Sequence, residues 1–175
     1  MDLQDALRAR IRSIPDYPKP GIRFYDLTTL FVRGDAFRSA VERLSERFRG
    51  DKVDLIAGIE ARGFMLAAAL AYDLRLGLIP IRKPGKLPWR TASQGYALEY
   101  GEGRLEVHED AATVGHRVLV VDDVLATGGT AAAAGRLLAG LGAEVAGYGF
   151  LVEIDALGGR ALLESNNVFS LIHYA

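Results

Sequence analysis

Short apolar runs alternate with helical stretches over most of this chain, and that alternation restricts its fold more than any other feature. Val53-Asp54-Leu55-Ile56-Ala57-Gly58-Ile59 reads as a buried strand, and an Ala/Leu-rich helix follows Gly63 to about Leu74. Leu76 to Ile81 is a second strand and Arg117 to Val121 a third. A helix from about Thr130 to Leu141, a strand from Ala143 to Val152 and a short strand from Val168 to Ile172 complete the series. Strands that alternate with helices predict an α/β layer fold around a mainly parallel sheet flanked by helices. Residues 83–110 break the pattern. Pro84, Gly85, Pro88 and Trp89 predict a loop, and the alternation around Tyr96–Tyr100 and Arg104–Val107 predicts antiparallel strands inserted beside the sheet.

Ahead of the first strand, Leu3, Leu7 and Ile11 recur at helical spacing, and Pro15, Pro18, Pro20 and Gly21 turn the chain into a loop. A further helix is expected from Asp35, an N-cap candidate, through Phe37, Val41, Leu44 and Phe48. The 175 residues form one expected domain, 1–175, and half of them are hydrophobic, which excludes a disordered chain. No stretch reaches the ~18–20 apolar residues of a membrane helix. Met1-Asp2-Leu3-Gln4-Asp5 is acidic rather than signal-like, so a cytoplasmic protein is expected. With no cysteine there is no thiolate metal site and no cysteine nucleophile. The net charge of −1 conceals a split: residues 1–90 sum to +6 and residues 91–175 to −7.

Chemistry concentrates in Val118-Leu119-Val120-Val121-Asp122-Asp123-Val124-Leu125-Ala126-Thr127-Gly128-Gly129-Thr130. An apolar strand delivers two carboxylates at its C-terminal end, the edge at which ligands bind in open α/β sheets. A Thr-Gly-Gly-Thr turn then opens a helix, whose free N–H groups and positive dipole end favour a phosphate. Glycine allows close backbone approach, and Thr127 and Thr130 add hydroxyl donors. Two carboxylates beside such a cradle suit a ligand that carries hydroxyls or a metal next to its phosphate. A tight turn capped by acids is the plainer reading, and the thirteen residues in this order outweigh it.

This segment resembles the phosphoribosyl-diphosphate signature of the type I phosphoribosyltransferases. The resemblance implies that Asp122 and Asp123 contact the ribose hydroxyls and that Ala126, Thr127, Gly128, Gly129 and Thr130 hold the 5-phosphate. Relatives that use 6-oxopurines such as hypoxanthine usually carry Asp where Ala126 stands, beside the base, so Ala126 argues against that branch and resembles the adenine- and xanthine-using ones; the other blocks single out the adenine-using branch. Further blocks resemble that branch in order, spanning about Ile11 to His173. Pro18-Lys19-Pro20-Gly21-Ile22-Arg23-Phe24-Tyr25-Asp26 resembles an N-terminal hood (about 14–30). Ala57 to Phe64 resembles a diphosphate loop, Ile81 to Pro88 opens a mobile loop (about 83–97), and Leu98-Glu99-Tyr100-Gly101 resembles an acidic element near the base.

What the resemblance implies is transfer of the 5-phosphoribosyl group from 5-phosphoribosyl 1-diphosphate to adenine, giving AMP and diphosphate. Ala61, Arg62, Arg82, Lys83 and Lys86 would hold the diphosphate, with a cis Glu60–Ala61 bond. Arg23 and Phe24 would hold adenine, Phe24 by stacking, its plain alternative being core packing beside Leu27. Glu99 would relay a proton, although alone it reads as an outward strand residue. Glu99, Arg62, Asp122 and Asp123 form the expected catalytic set. Mg²⁺ would be held by substrate and water, with no direct protein ligand, and a homodimer with no nucleic-acid or membrane partner is expected. Tyr25 and Pro84 stand where many relatives carry basic residues. His108, His116 and His173 are expected at the surface or at strand edges, away from any carboxylate cluster, and Trp89 is expected to pack or cover. The alternatives are a xanthine- or other purine-using phosphoribosyltransferase and a ligand-sensing regulator on the same fold.

Overall fold

In a computed structural model, residues 2–97, 102–165 and 167–175 are described. The central sheet has five parallel strands in the order β4 (Gly77–Ile81), β3 (Leu55–Ile59), β7 (Arg117–Leu125), β8 (Glu144–Ile154) and β9 (Val168–Tyr174). The expected α/β architecture is therefore present. α4 (Gly63–Leu74) leads from β3 to β4, and α5 (Gly129–Gly140) leads from β7 to β8. These crossovers run outward in opposite directions from the β3–β7 pair. A crevice therefore opens between the C-terminal ends of β3 and β7, at the switch point where ligands bind in such sheets.

Alternation along the strands assigns the two faces. Val118 and Val120 join Ala57, Ile59 and Phe150 under α5, while Leu119 and Val121 join Ile56 and Leu151 under α4 and α3 (Gly34–Phe48). Each buried Val or Leu contributes about 1.5–3 kcal/mol by leaving water. The run Ala131–Ala134 lets α5 lie close to the sheet, and a Cβ on Gly135 would overlap the Tyr148 hydroxyl. α3 begins at Gly34, with Arg33 at its N-cap and Asp35 inside its first turn, so Asp35 is not the cap.

The N-terminal segment departs from expectation. α1 (Leu3–Arg8) stops before Ile11, and Arg12–Pro15 forms β1, which pairs antiparallel with β2 (Arg23–Asp26). Prolines that end a helix are compatible with a short exposed strand, and the register Ile14↔Phe24 makes a hairpin of what reads as a loop. The short α2 (Thr28–Phe31) follows, with Leu30 buried. β5 (Thr91–Ala97) and β6 (Glu102–His108) form the expected antiparallel pair, and Leu105 and Val107 join the α5-side core.

Candidate active site

β7 does not stop at the acidic pair. It pairs with β8 through Asp122↔Phe150, Val124↔Val152 and Leu125↔Glu153, so both carboxylates project from within the ladder rather than from its end. Backbone pairing is indifferent to side-chain polarity, and Val124 and Leu125 extend it. The Asp123 N–H donates to Asp122 Oδ1 at 2.9 Å. Asp123 is almost fully buried and its Oδ2 lies 2.6 Å from Arg62 Nε, an ion pair whose angle does not make a hydrogen bond. Burial pushes the Asp123 carboxyl up against the opposing pull of Arg62. Burial, then the charge of Asp123, raises Asp122 well above the usual carboxylate range.

Arg62 stands at the N-cap position of α4 with no side-chain cap bond, and the Glu60–Ala61 peptide before it is cis, as the resemblance implied. Gly63 is required here by close approach. A Cβ on it would lie 2.5 Å from Asp122 Oδ1 and 3.2 Å from Asp122 Cα. Across the crevice, Gly128 adopts φ +82° at the N-cap of α5, with no side chain capping the helix. The first-turn N–H groups of α5 are thus left for an anion. Asp122, Val124, Ala126, Thr127, Gly128 and Thr130 line a cavity of about 80 Å³ in front of this turn, room for about three waters or one tetrahedral anion.

Phe24 sits on β2 with the Arg62 guanidinium 5.3 Å from its ring centroid and Tyr17 edge-on at 5.3 Å. Core packing beside Leu27 is therefore not its main contact. The hairpin so delivers an aromatic ring to the same arginine that meets Asp123. Arg23 is exposed and its guanidinium donates to Ser13 Oγ at 3.1 Å. Tyr25 stacks on Tyr174 at 3.9 Å.

Arg82 is turned onto Glu60, donating from Nε to Oε2 at 3.2 Å, and onto the Lys86 carbonyl at 3.0 Å. The Lys83 N–H also donates to Glu60 Oε2, and this bond chiefly holds the Glu60 carboxyl below its ordinary value. Glu60, which sequence reasoning passed over, thus anchors the base of the 82–86 loop, while the Lys83 and Lys86 side chains are exposed. Leu98, Glu99, Tyr100 and Gly101, the expected acidic element, lie outside the described residues.

One histidine expectation is corrected. His173 Nδ1 lies 2.8 Å from Asp155 Oδ1, and these two groups with Glu153 offer ligand atoms all within 4.8 Å of one another. The β8–β9 register, with Glu153 opposite His173, brings together residues distant in sequence. Glu153 is already occupied by Arg160 and Ser170. Trp89 packs edge-on to His108 at 6.4 Å.

A parallel sheet with an acidic pair, a cationic turn and an uncapped glycine turn at its switch point defines the phosphoribosyltransferase class. In agreement, a family model described as "Phosphoribosyl transferase domain" matches residues 31–171. The adenine phosphoribosyltransferase of Symbiobacterium thermophilum is 53% identical over 167 residues, covering 95% of this chain and 98% of the relative. The crystal structure of adenine phosphoribosyltransferase from Thermoanaerobacter pseudethanolicus is 47% identical with a TM-score of 0.95, covering 99% and 100% of the two chains. That of Saccharomyces cerevisiae, complexed with D-2,5-dideoxy-2,5-imino-altritol 1,6-bisphosphate and adenine, is 38% identical with a TM-score of 0.91, covering 97% and 98%. The chain belongs to the adenine phosphoribosyltransferase family.

Proposed function

We propose that the crevice between β3 and β7 carries out transfer of the 5-phosphoribosyl group from 5-phosphoribosyl 1-diphosphate to adenine, giving AMP and diphosphate. The observation that carries this reading is the meeting of Arg62, Asp123 and Phe24 beside the uncapped start of α5. A cation for a leaving diphosphate, a carboxylate for a ribose and a flat ring for a base thus converge on one point. The yeast relative is complexed with an imino-altritol bisphosphate and adenine, a phosphorylated sugar analogue beside a base.

In this reading Ala126 through Thr130 grip the 5-phosphate with backbone N–H groups and the Thr127 and Thr130 hydroxyls. Asp122 and Asp123 accept the ribose hydroxyls and stabilise the positive charge that develops at C1 as the bond to diphosphate breaks. Arg62, with the Ala61 backbone, draws off the negative charge of the leaving diphosphate, and exposed Lys83 and Lys86 close over it. Arg82 acts through Glu60, setting the base of that loop. Phe24 stacks on adenine, the Arg23 backbone meets its amino edge, and Ala126 presents a methyl group where an oxopurine would need a carboxylate. Glu99 is assigned the base proton.

The donor set fits Mg²⁺. Among the described residues Asp122 and Asp123 belong to no cluster of three or more ligating side chains, so there is no protein cage, which suits a hard cation held by its own water and substrate oxygens. When bound, such an ion neutralises diphosphate charge; Asp122 and Asp123 would orient it. Exposed Met65 and Tyr72 on α4 and Leu78 on β4 are consistent with a homodimer. Among the described residues no helix is long and apolar enough to cross a membrane, and we place the enzyme in the cytoplasm, in purine salvage.

The test is a coupled assay with 5-phosphoribosyl 1-diphosphate and Mg²⁺, comparing adenine, xanthine, hypoxanthine and guanine, with and without chelator. Nucleoside monophosphate and diphosphate are expected to form with adenine, as AMP, and not with the other three bases. Turnover of xanthine with none of adenine overturns the branch, and no turnover by folded protein overturns the activity.

A further inference from the structure

The back of the phosphate turn lies against a second turn that the chemistry above does not use. A Cβ on Gly159 would overlap Ala126 O and come within 2.7 Å of Gly128 N. Reciprocally, a Cβ on Gly128 would overlap Gly159 O. The two backbones touch with no side chain between them, so a shift in one displaces the other.

Both sides of this contact are tied to one ion pair. Glu153 is opposite Leu125 in the β7–β8 register, one residue before Ala126. Arg160 directly follows Gly159. Its Nε donates to Glu153 Oε1 at 3.0 Å, its Nη2 to Oε2 at 2.5 Å, and its Nη1 to the Val168 carbonyl at 2.8 Å. Buried Ser170 donates to the same Oε2 at 2.5 Å. The Asp155–His173 contact ties the start of the segment to β9. Burial alone would push the Glu153 carboxyl up, but the hydrogen bonds from Arg160 and Ser170 hold it below its ordinary value. An ion pair with one buried and one exposed partner adds little net stability, whereas a two-bond arginine–carboxylate fork fixes direction. Fixing direction is what a backbone contact one residue away requires.

We propose that Arg160, Glu153 and Ser170 are positioning residues for the 5-phosphate turn, holding Gly159 against the back of residues 126–128 and so setting the spread of the N–H groups in front. This rests on the reading of 126–130 as the phosphate turn. The trio touches neither the acidic pair nor Arg62, so loosening it affects the phosphate grip and spares the diphosphate grip and the chemical step.

The experiment measures calorimetric Kd values for ribose 5-phosphate and, separately, for inorganic diphosphate, with KM and kcat, in the wild type and in Arg160→Gln, Arg160→Lys and Ser170→Ala. Arg160→Gln is expected to weaken ribose 5-phosphate about tenfold or more, with the diphosphate Kd and kcat within about twofold. Arg160→Lys recovers part of the loss, because it restores charge without the fork. Ser170→Ala shows a smaller loss of the same kind and carries the test if Arg160→Gln does not fold. Equal weakening of both ligands, or an unchanged ribose 5-phosphate Kd, overturns the positioning role. A wild-type protein that forms AMP but shows no ribose 5-phosphate binding overturns the phosphate-turn reading instead.

Discussion

Asp123 and Arg62 meet at 2.6 Å between Oδ2 and Nε, although they belong to different strand–helix units of the sheet. Asp123 is nearly inaccessible and Arg62 about one-third exposed, so the pair has one side in the protein and one side open to the crevice. Arg62 thus neutralises the carboxylate and also presents a cation outward. The acid pair itself is the feature most exposed to test. Asp123→Asn and Asp122→Asn are each expected to lower kcat/KM by about 10²–10³-fold, the usual loss when a charge aimed at the transition state is removed. Steady-state rates, with circular dichroism to show an unchanged fold, check this. Wild-type rates in both variants would sink the assignment.

Stability should move the other way. A carboxyl whose native-state value lies above its unfolded one holds its proton more tightly when folded. Native stability therefore falls as pH rises from the ordinary carboxylate value, 3.8, through the raised one of Asp122. Asp122→Asn keeps the Oδ1 acceptor for the Asp123 N–H and removes the charge. Its Tm is expected to exceed the wild type's at neutral pH by about 2–4 °C, for a gain of about 1 kcal/mol. The difference shrinks toward pH 4. Thermal melts of the ligand-free proteins across that range are the measurement. A variant less stable than the wild type at pH 7 would contradict burial and the Asp123 charge as the origin of the shift.

Gly63→Ala tests the approach of α4 to the acid pair. The added Cβ would lie 2.5 Å from Asp122 Oδ1 and 3.2 Å from its Cα and from Val121 O. Relief requires Asp122 to move by some tenths of an ångström. A fall of at least about tenfold in kcat/KM is expected from misplacement. Stability should change little, because overpacking and the gain from replacing glycine in a helix oppose each other. Normal turnover would show that Asp122 can shift without consequence.

Phe24 separates base binding from sugar-phosphate binding. Phe24→Ala is expected to raise the KM for adenine about tenfold, within the ~1–3 kcal/mol of a base–aromatic stack. The KM for 5-phosphoribosyl 1-diphosphate should stay nearly constant, and Phe24→Tyr should retain most of the affinity. A variant in which both KM values rise equally would show that Phe24 acts by holding Arg62, over which its ring lies.

Much of the sheet could be read directly from the chain. β3, β4, β8, β9, α4 and α5 lie within a residue or two of their expected ends, because uninterrupted apolar runs and Ala/Leu periodicity are local signals. The acidic pair and the glycine turn were legible for the same reason, being contiguous. The β1–β2 hairpin was not, since Pro15 and Pro18 speak only against helix and the pairing Ile14↔Phe24 is invisible until both strands are placed. The continuation of β7 past Asp123 was missed because a ladder is made by the neighbouring strand.

The chain alone determined an α/β sheet, a glycine turn after two carboxylates and, through its ordered sequence blocks, a resemblance to enzymes that use adenine. Those are properties of adjacent residues and of periodicity. Only the tertiary structure decided that Arg62 faces Asp123 under Phe24, that Arg82 answers to Glu60, and that Gly159 backs the Ala126–Gly128 turn with Arg160 tied to Glu153. Each of these depends on sheet order and register. A charge or a bare glycine carries no mark in the sequence of the partner that the sheet will place beside it.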